Sequence, residues 1–425
     1  MLEYNPFGEL KTGGPGKLSV SERTHLRDLA ERVRQISNEP RYSEKIGLWK
    51  CHNSLKRIRP MVLTYPEGAW GEMIPIETMT IEDPFWRSYE WILEQMLYRG
   101  QRIFDDNIID GVIEIALKTT NTGYNIPIKV ESTGVKGGAN HFVPGIVDLA
   151  DVDRMIQPEW IINLESTNRE LSAVKDVIGD ILEVKVNRKY TVDTSLINML
   201  VYMRGMDNLM IDMIENPEWL HGVLGFMQAS ILRLMDQIDG KVEMTLNNGN
   251  DYTGTGGLGY VDELPKTKGG ENNFSFSDLW GTAESQHFDM ISPAMYEEFA
   301  VQYQIPILKR YGLVSYGCCE SLNKKFEIVK KIPNLRRVSV SPWTDVSIAA
   351  NALEDRYILS WKPNPSKIVS GCGISEMRKD VSDTLTAAKG CVIEMILKDT
   401  HTIYNKPETI EEWVNTANEL AQMGY

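Results

Sequence analysis

Gly312-Leu313-Val314-Ser315-Tyr316-Gly317-Cys318-Cys319-Glu320 is a short β-type run that stops in residues able to hold a metal or move a proton. Nearer the C-terminus, Cys391-Val392-Ile393-Glu394-Met395-Ile396-Leu397-Lys398-Asp399-Thr400-His401-Thr402 has the same design. Strands that end in chemistry are the mark of an α/β barrel, whose active sites are built at the C-terminal strand ends.

Outward from these two runs, strand and helix patterns alternate. Residues 59–65, 242–246, 337–340 and 357–360 read as further strands. Residues 20–38, with Ser21 as a cap, and 84–103, 206–214, 217–238, 293–311, 322–331, 346–353, 375–389 and 409–423 read as helices. Strands alternating with helices of this length predict a parallel sheet, and so many units in one chain favour closure. The expected fold is a (β/α)8 TIM barrel forming one domain over residues 1–425. It carries an N-terminal helical extension over 1–55 and a β-rich insertion over about 108–165, with glycines at 123, 134, 137 and 138.

The chain has 425 residues, 42% of them apolar, a net charge of −14 and a pI near 5.1. An acidic surface without a basic run disfavours nucleic acid, which needs a cationic patch for phosphate. Five cysteines, two of them adjacent, do not form a disulfide framework and point to a reducing, cytoplasmic setting. No apolar stretch reaches the roughly 20 residues of a membrane helix, and residues 1–6 have no signal-peptide pattern.

On an ideal strand, Tyr316, Cys318 and Glu320 share one face. A thiolate and a carboxylate are both zinc ligands, whereas a buried thiol pair is the bland alternative. At the second run, two parities stay open. Either Asp399 and His401 face inward, or Glu394 and Lys398 do, and a bulge would reconcile them. The loop before the 293–311 helix offers Glu284, Gln286 and His287 for a polar ligand group, following Trp280. Trp343 and Trp361 each follow a strand end and suit an apolar or aromatic substrate. Lys362 is a candidate for an anion or phenolate. The glycine-rich stretch 253–259 lacks a dinucleotide fingerprint and reads as a mobile active-site loop, with Tyr252 beside the substrate. His141 reads as structural, and His25, His52 and His221 receive no role.

Met203-Arg204-Gly205-Met206-Asp207-Asn208-Leu209, then Asn216-Pro217-Glu218-Trp219-Leu220, then the Cys-Cys strand, Val338-Ser339-Val340-Ser341, Trp361-Lys362-Pro363-Asn364-Pro365 and the final strand follow one order. That order resembles the uroporphyrinogen decarboxylase superfamily, in its corrinoid-dependent methyltransferase branch, over roughly residues 55–423. The Arg-Gln-Ala-Gly-Arg segment that grips porphyrinogen carboxylates is absent, and the corresponding region reads Lys56-Arg57-Ile58-Arg59-Pro60-Met61. The resemblance implies transfer of a methyl group from a small methoxylated substrate, an aryl methyl ether, to the cob(I)alamin of a separate corrinoid-carrying protein. It implies Glu320, Asp399, Tyr316 and Lys362 as catalytic residues. Trp280, Glu284, Gln286, Trp343, Trp361 and Tyr252 would bind substrate. The thiol-methylating members hold zinc through His-x-Cys and a last-strand Cys; here Tyr316 stands at the His position and His401 near the last, so Zn2+ would take Cys318, Glu320 and His401. A homodimer fits the family. The alternatives are a lyase acting on a small carboxylic acid and a zinc-dependent methylcobamide:thiol methyltransferase.

Overall fold

The computed structural model describes residues 14–132, 134, 140–190, 192, 194–266 and 274–423. Residues 1–6 and the glycines at 137 and 138, which the sequence reading used, lie outside them. The centre is a six-stranded, all-parallel sheet. In chain order its strands are β1 (Met61–Thr64), β8 (Trp280–Ala283), β9 (Leu313–Tyr316), β10 (Leu335–Val340), β11 (Ile358–Trp361) and β12 (Val392–Leu397), and they lie in the order β1-β12-β11-β10-β9-β8. Two more parallel strands, β2 (Val112–Ala116) and β7 (Glu183–Asn187), pair with each other. Helices cover one face: Val62, Val340, Trp361, Ile393, Met395 and Leu397 share a core with Trp413, Val414 and Ala417 of the helix Glu408–Gln422. The buried apolar runs on these strands suit a parallel sheet packed on both faces.

Neither sheet edge is bare. At the β1 edge, Asp106 N–H donates to Val62 O at 2.7 Å, and the Asp105 and Asp106 carboxylates accept from Thr64 and Val62 N–H. At the β8 edge, Asn247 imitates a strand: its side chain accepts from Trp280 N–H at 2.8 Å and donates to Trp280 O at 2.9 Å. Thr245 N–H in turn donates to Arg188 O, just past β7, at 3.2 Å. Residues 242–246 are thus no regular strand, because the Asn247 side chain supplies what a ladder would.

The insertion consists of two antiparallel strand pairs, β3 (Thr119–Asn121) with β6 (Trp160–Ile162) and, between them in the chain, β4 (Lys129–Ser132) with β5 (Asn140–Val143). The helix Val20–Ser37 starts where the sequence reading placed it, but its cap is a different serine. Ser19, not Ser21, is its cap: Ser19 Oγ accepts from Glu22 N–H, and the Glu22 carboxylate accepts from Ser19 N–H. Such a reciprocal cap is worth about 1 kcal/mol. A second helix, Pro40–Asn53, follows, and its Trp49, His52 and Asn53 are buried.

The glycine-rich stretch is not a solvent loop. Tyr252 bridges Leu258 across a hairpin whose tip, Thr253 to Gly257, packs on the sheet face opposite the helices. Gly256, Gly257, Leu258 and Gly259 are buried. Gly254, at φ +63°, lies where a Cβ would meet Thr282 Oγ1 at 2.8 Å and Ser315 Oγ at 2.9 Å. These glycines allow close backbone approach. Among the described residues no helix is long and apolar enough to cross a membrane.

Candidate functional site

On the face opposite the helices the strands turn polar. Arg337, Ser360 and Glu394 project there from three adjacent strands, and register sets Ser360 opposite Glu394. Both side chains of the Arg337–Glu394 pair are fully buried, with Nε 2.9 Å from Oε1. Glu394 also accepts from Gly257 N–H at 2.8 Å and lies 3.0 Å from His52 Nε2. Arg337 Nη2 donates to Asn53 Oδ1 at 2.6 Å. Burial pushes the Glu394 carboxyl up, but Arg337 and His52 outweigh it and hold it well below the usual range. This cluster lies mid-strand and holds the glycine hairpin in place. It decides the parity at β12: Glu394 and Ile396 face the hairpin, while Ile393, Met395 and Leu397 face the helices.

Toward the C-terminal strand ends the polar groups change character. Lys362, just past β11, is buried; its ammonium nitrogen lies 2.8 Å from Ser360 Oγ and 3.0 Å from Ser360 O. Burial pushes its pKa down to about 7. Lys398, just past β12, pairs with Asp399 Oδ1 at 2.9 Å. Burial opposes its charge, but Asp399, Cys318 and Glu67 hold its pKa above the ordinary range. Asp399 has φ +60°, which breaks the strand alternation and turns His401 out to solvent.

Beyond β9 the two-residue alternation also fails. The strand ends at Tyr316, and Gly317 at φ +97° turns the chain. Glu320 folds back: Oε1 accepts from Ser285 N–H at 3.0 Å and Oε2 from Cys318 N–H at 2.9 Å, with Tyr296 OH 3.3 Å away. Tyr316 points to the helices, its hydroxyl 2.7 Å from Tyr296 OH and 3.2 Å from Gln304 Oε1. Glu320 and Tyr316 are thus tied into one buried hydrogen-bonded network with Ser285, Tyr296 and Gln304. The five cysteines are free; Cys318 and Cys319 place their sulfurs 3.5 Å apart, Cys318 half-buried and Cys319 exposed.

A second polar group surrounds β8. Glu284 accepts from Gln286 N–H at 2.6 Å and from the Asn198 amide. Burial and the nearby Glu320 push its pKa up to about 7. Thr282, inside the strand, is nonetheless exposed, which marks an open space on this face. His287 meets Tyr202 edge-on at 6.0 Å, and Tyr202 stacks on Phe142 of β5 at 4.3 Å. Asn198 Oδ1 and His287 Nε2 are buried without a hydrogen-bond partner among the described residues.

The remaining expected substrate residues divide. Trp280 is buried at the start of β8, where Nε1 donates to Gly259 O and its ring takes the Arg337 guanidinium at 5.1 Å. Trp361 is buried in the helix-facing core. Both pack rather than line an opening. Tyr252 lies against Tyr65, ring centres 4.2 Å apart, on the hairpin. Trp343 is 65% exposed on the loop after β10. Sequence reasoning missed Glu67, Arg337, Asn198 and the role of His52. Glu67 follows β1, so the same strand-end rule pointed to it; the others carry no local signal.

No protein family model and no curated protein sequence matches this chain. Among solved structures, it is similar to a methyltransferase from Methanosarcina mazei, at 9% sequence identity and a TM-score of 0.48, over 87% of this chain and 97% of that one.

Proposed function

We propose that this protein moves a methyl group from a small methoxylated compound to the corrinoid of a separate carrier protein, at the C-terminal mouth of a closed (β/α)8 barrel. Closure is supported by the hydrogen bonds that continue from β1 to residues 105–106 and from β8 through Asn247 and Thr245 to Arg188. The family resemblance supports the reaction class, and one observation carries it further. Glu284, at the end of β8 beside an open space, has a pKa of about 7 and so holds a proton for part of the time at neutral pH.

Breaking an O–CH3 bond leaves an oxyanion, which departs readily only if it receives a proton. An acid whose pKa lies near the working pH is best suited to give one. Glu284 takes that role, oriented by Asn198 and by Gln286 N–H. Tyr202, His287 and Phe142 supply an aromatic wall for an aryl ring. Lys362 and Lys398 add cationic capacity at the ends of β11 and β12, beside Cys318. The corrinoid, when presented by its carrier, supplies the nucleophile. Met290, Trp343 and Tyr404, all strongly exposed on loops after β8, β10 and β12, offer apolar contacts for that carrier on this face. Zinc on Cys318, Glu320 and His401 does not fit: among the described residues these three side chains do not bring their ligand atoms close enough together for one ion. No step is assigned to it.

The test is an anaerobic assay with a reduced corrinoid carrier and a panel of methoxylated arenes, read by corrinoid absorbance. Turnover is expected, with Glu284→Gln slower by about 100-fold or more; no turnover with any donor rejects the proposal. A second reading, a lyase on a small carboxylic acid, is favoured only by the buried Lys362 amine. Carbon dioxide release from an acid panel, abolished in Lys362→Met, would select it.

A further inference from the structure

The loops after β1 and β12 are laced together. Tyr65 N–H donates to Leu397 O at 2.7 Å, Ala69 N–H to Thr400 O at 3.0 Å, and Thr400 Oγ1 to Tyr65 O at 3.0 Å. At Gly68 a Cβ would meet His401 O at 2.7 Å, so only glycine lets the loops approach this closely. The result gathers three metal-ligand side chains from two distant parts of the chain. One ligand atom each from Glu67, Asp399 and His401 lies within 4.8 Å of the other two. Among the described residues this is the one such group, and it excludes both Cys318 and Cys319.

We propose that Glu67, Asp399 and His401 bind one divalent metal ion through two carboxylate oxygens and one imidazole nitrogen. The inference rests on the proposed function in placing the ion beside the reaction, and it replaces the thiolate set that the family resemblance implies. Two carboxylates and an imidazole favour Zn2+, Mn2+ or Co2+ over a strictly thiophilic ion. Lys398 contacts only Oδ1 of Asp399 at 2.9 Å, so the other oxygen is left for the metal. Neither ring nitrogen of His401 is hydrogen-bonded to a described residue. Glu67 is half-buried and, with Asp399 and His401, faces one shared space. Three protein ligands also leave positions open, as catalytic rather than structural sites do.

The experiment titrates chelator-treated protein with Co2+, followed by calorimetry and by absorption. The expected result is one Co2+ per chain, no thiolate-to-cobalt charge-transfer band, and affinity weakened at least about tenfold in Glu67→Gln and in His401→Ala. The double variant Cys318→Ser/Cys319→Ser binds like the wild type. The proposal fails if the wild type binds no stoichiometric Co2+, if a thiolate band appears and vanishes in the cysteine variant, or if Glu67→Gln and His401→Ala both bind normally. Both ligand variants alter exposed or half-buried loop positions, and thermal melts confirm that each is folded. A protein that binds Co2+ here but transfers no methyl group overturns the function alone; one that turns over yet binds no Co2+ at these residues overturns the site alone.

Discussion

Arg337 on β10 reaches past β11 to Glu394 on β12, Nε to Oε1 2.9 Å, with neither side chain exposed. Removing one member strands the other charge in a dry interior, at a cost of about 3–5 kcal/mol. Arg337→Met and Glu394→Gln are therefore expected to lower the denaturant midpoint sharply, and the double variant Arg337→Met/Glu394→Leu to recover part of the loss. The pH dependence has a definite sign. Because the folded Glu394 pKa is depressed, its contribution is present above the unfolded pKa and is lost as pH falls through the folded value. Glu394→Gln should show a smaller stability loss between neutral and strongly acidic pH than the wild type; an equal loss would contradict the pairing.

That pair also shows what a sequence conceals. The strands themselves were readable, because Val314, Val338, Val340, Ile393 and Ile396 are buried apolar positions flanked by helix patterns. The loop that binds them was not. A run of glycines reads the same whether it waves in solvent or lies against Arg337 and Glu394, since glycine carries no side chain to record its neighbours. The alternation rule failed where the backbone leaves the extended region, at Gly317 and Asp399. Glu320 and His401 were misplaced for that reason. His52 and Glu394 are 342 positions apart, and no local pattern connects them.

Glu284 should reveal its raised pKa in stability as well as in rate. Between its ordinary 4.5 and about 7, the folded state keeps a proton that the unfolded state releases. Stability from this group therefore falls as pH rises through that window and is lowest above it. Glu284→Gln removes the penalty. Its melting temperature relative to wild type is expected to be higher at pH 8 than at pH 5; no difference between the two would remove Glu284 as a proton carrier.

Lys362 carries the opposite sign. Its folded pKa, pushed by burial to about 7 from 10.5, means that the folded state binds fewer protons than the unfolded one between those values. Stability from Lys362 thus rises with pH across that window, and the penalty is complete below it. Lys362→Met should gain stability relative to wild type at pH 6 and lose that advantage by pH 10. A lysine methyl resonance from 13C reductive methylation, assigned by the variant, is expected to titrate near neutrality.

Cys318 and Cys319 are unequal thiols. The hydrogen bond between the two sulfurs, together with partial burial, pushes the Cys318 thiol up, and the same bond holds Cys319 below its ordinary value. The thiolate is the reacting form. Limiting iodoacetamide, followed by peptide mass spectrometry, is expected to label Cys319 first, with Cys318 slower by about tenfold or more. Equal labelling would mean that the 3.5 Å contact does not order the two thiols.

Gly257 tests whether the hairpin is a fixed part of the sheet's polar face. A Cβ there would lie 2.5 Å from the Trp49 ring and 2.6 Å from Glu394 Oε2. Neither neighbour can retreat: Trp49 is fully buried and donates from Nε1 to Asp106 O at 2.8 Å, and Glu394 is held by Arg337 and His52. Gly257 N–H also donates to Glu394, so moving the hairpin away breaks that bond. Gly257→Ala should therefore cost about 1–3 kcal/mol, the usual range for overpacking. Gly371, at φ +82° with no atom near its absent Cβ, supplies the contrast. Gly371→Ala carries only the strain of a left-handed backbone, about 1–2 kcal/mol. The discriminating readout is hydrogen exchange: Gly257→Ala is expected to lose protection in the hairpin and at Glu394 together, Gly371→Ala in neither. A hairpin that moves freely would tolerate the extra methyl group and leave exchange unchanged.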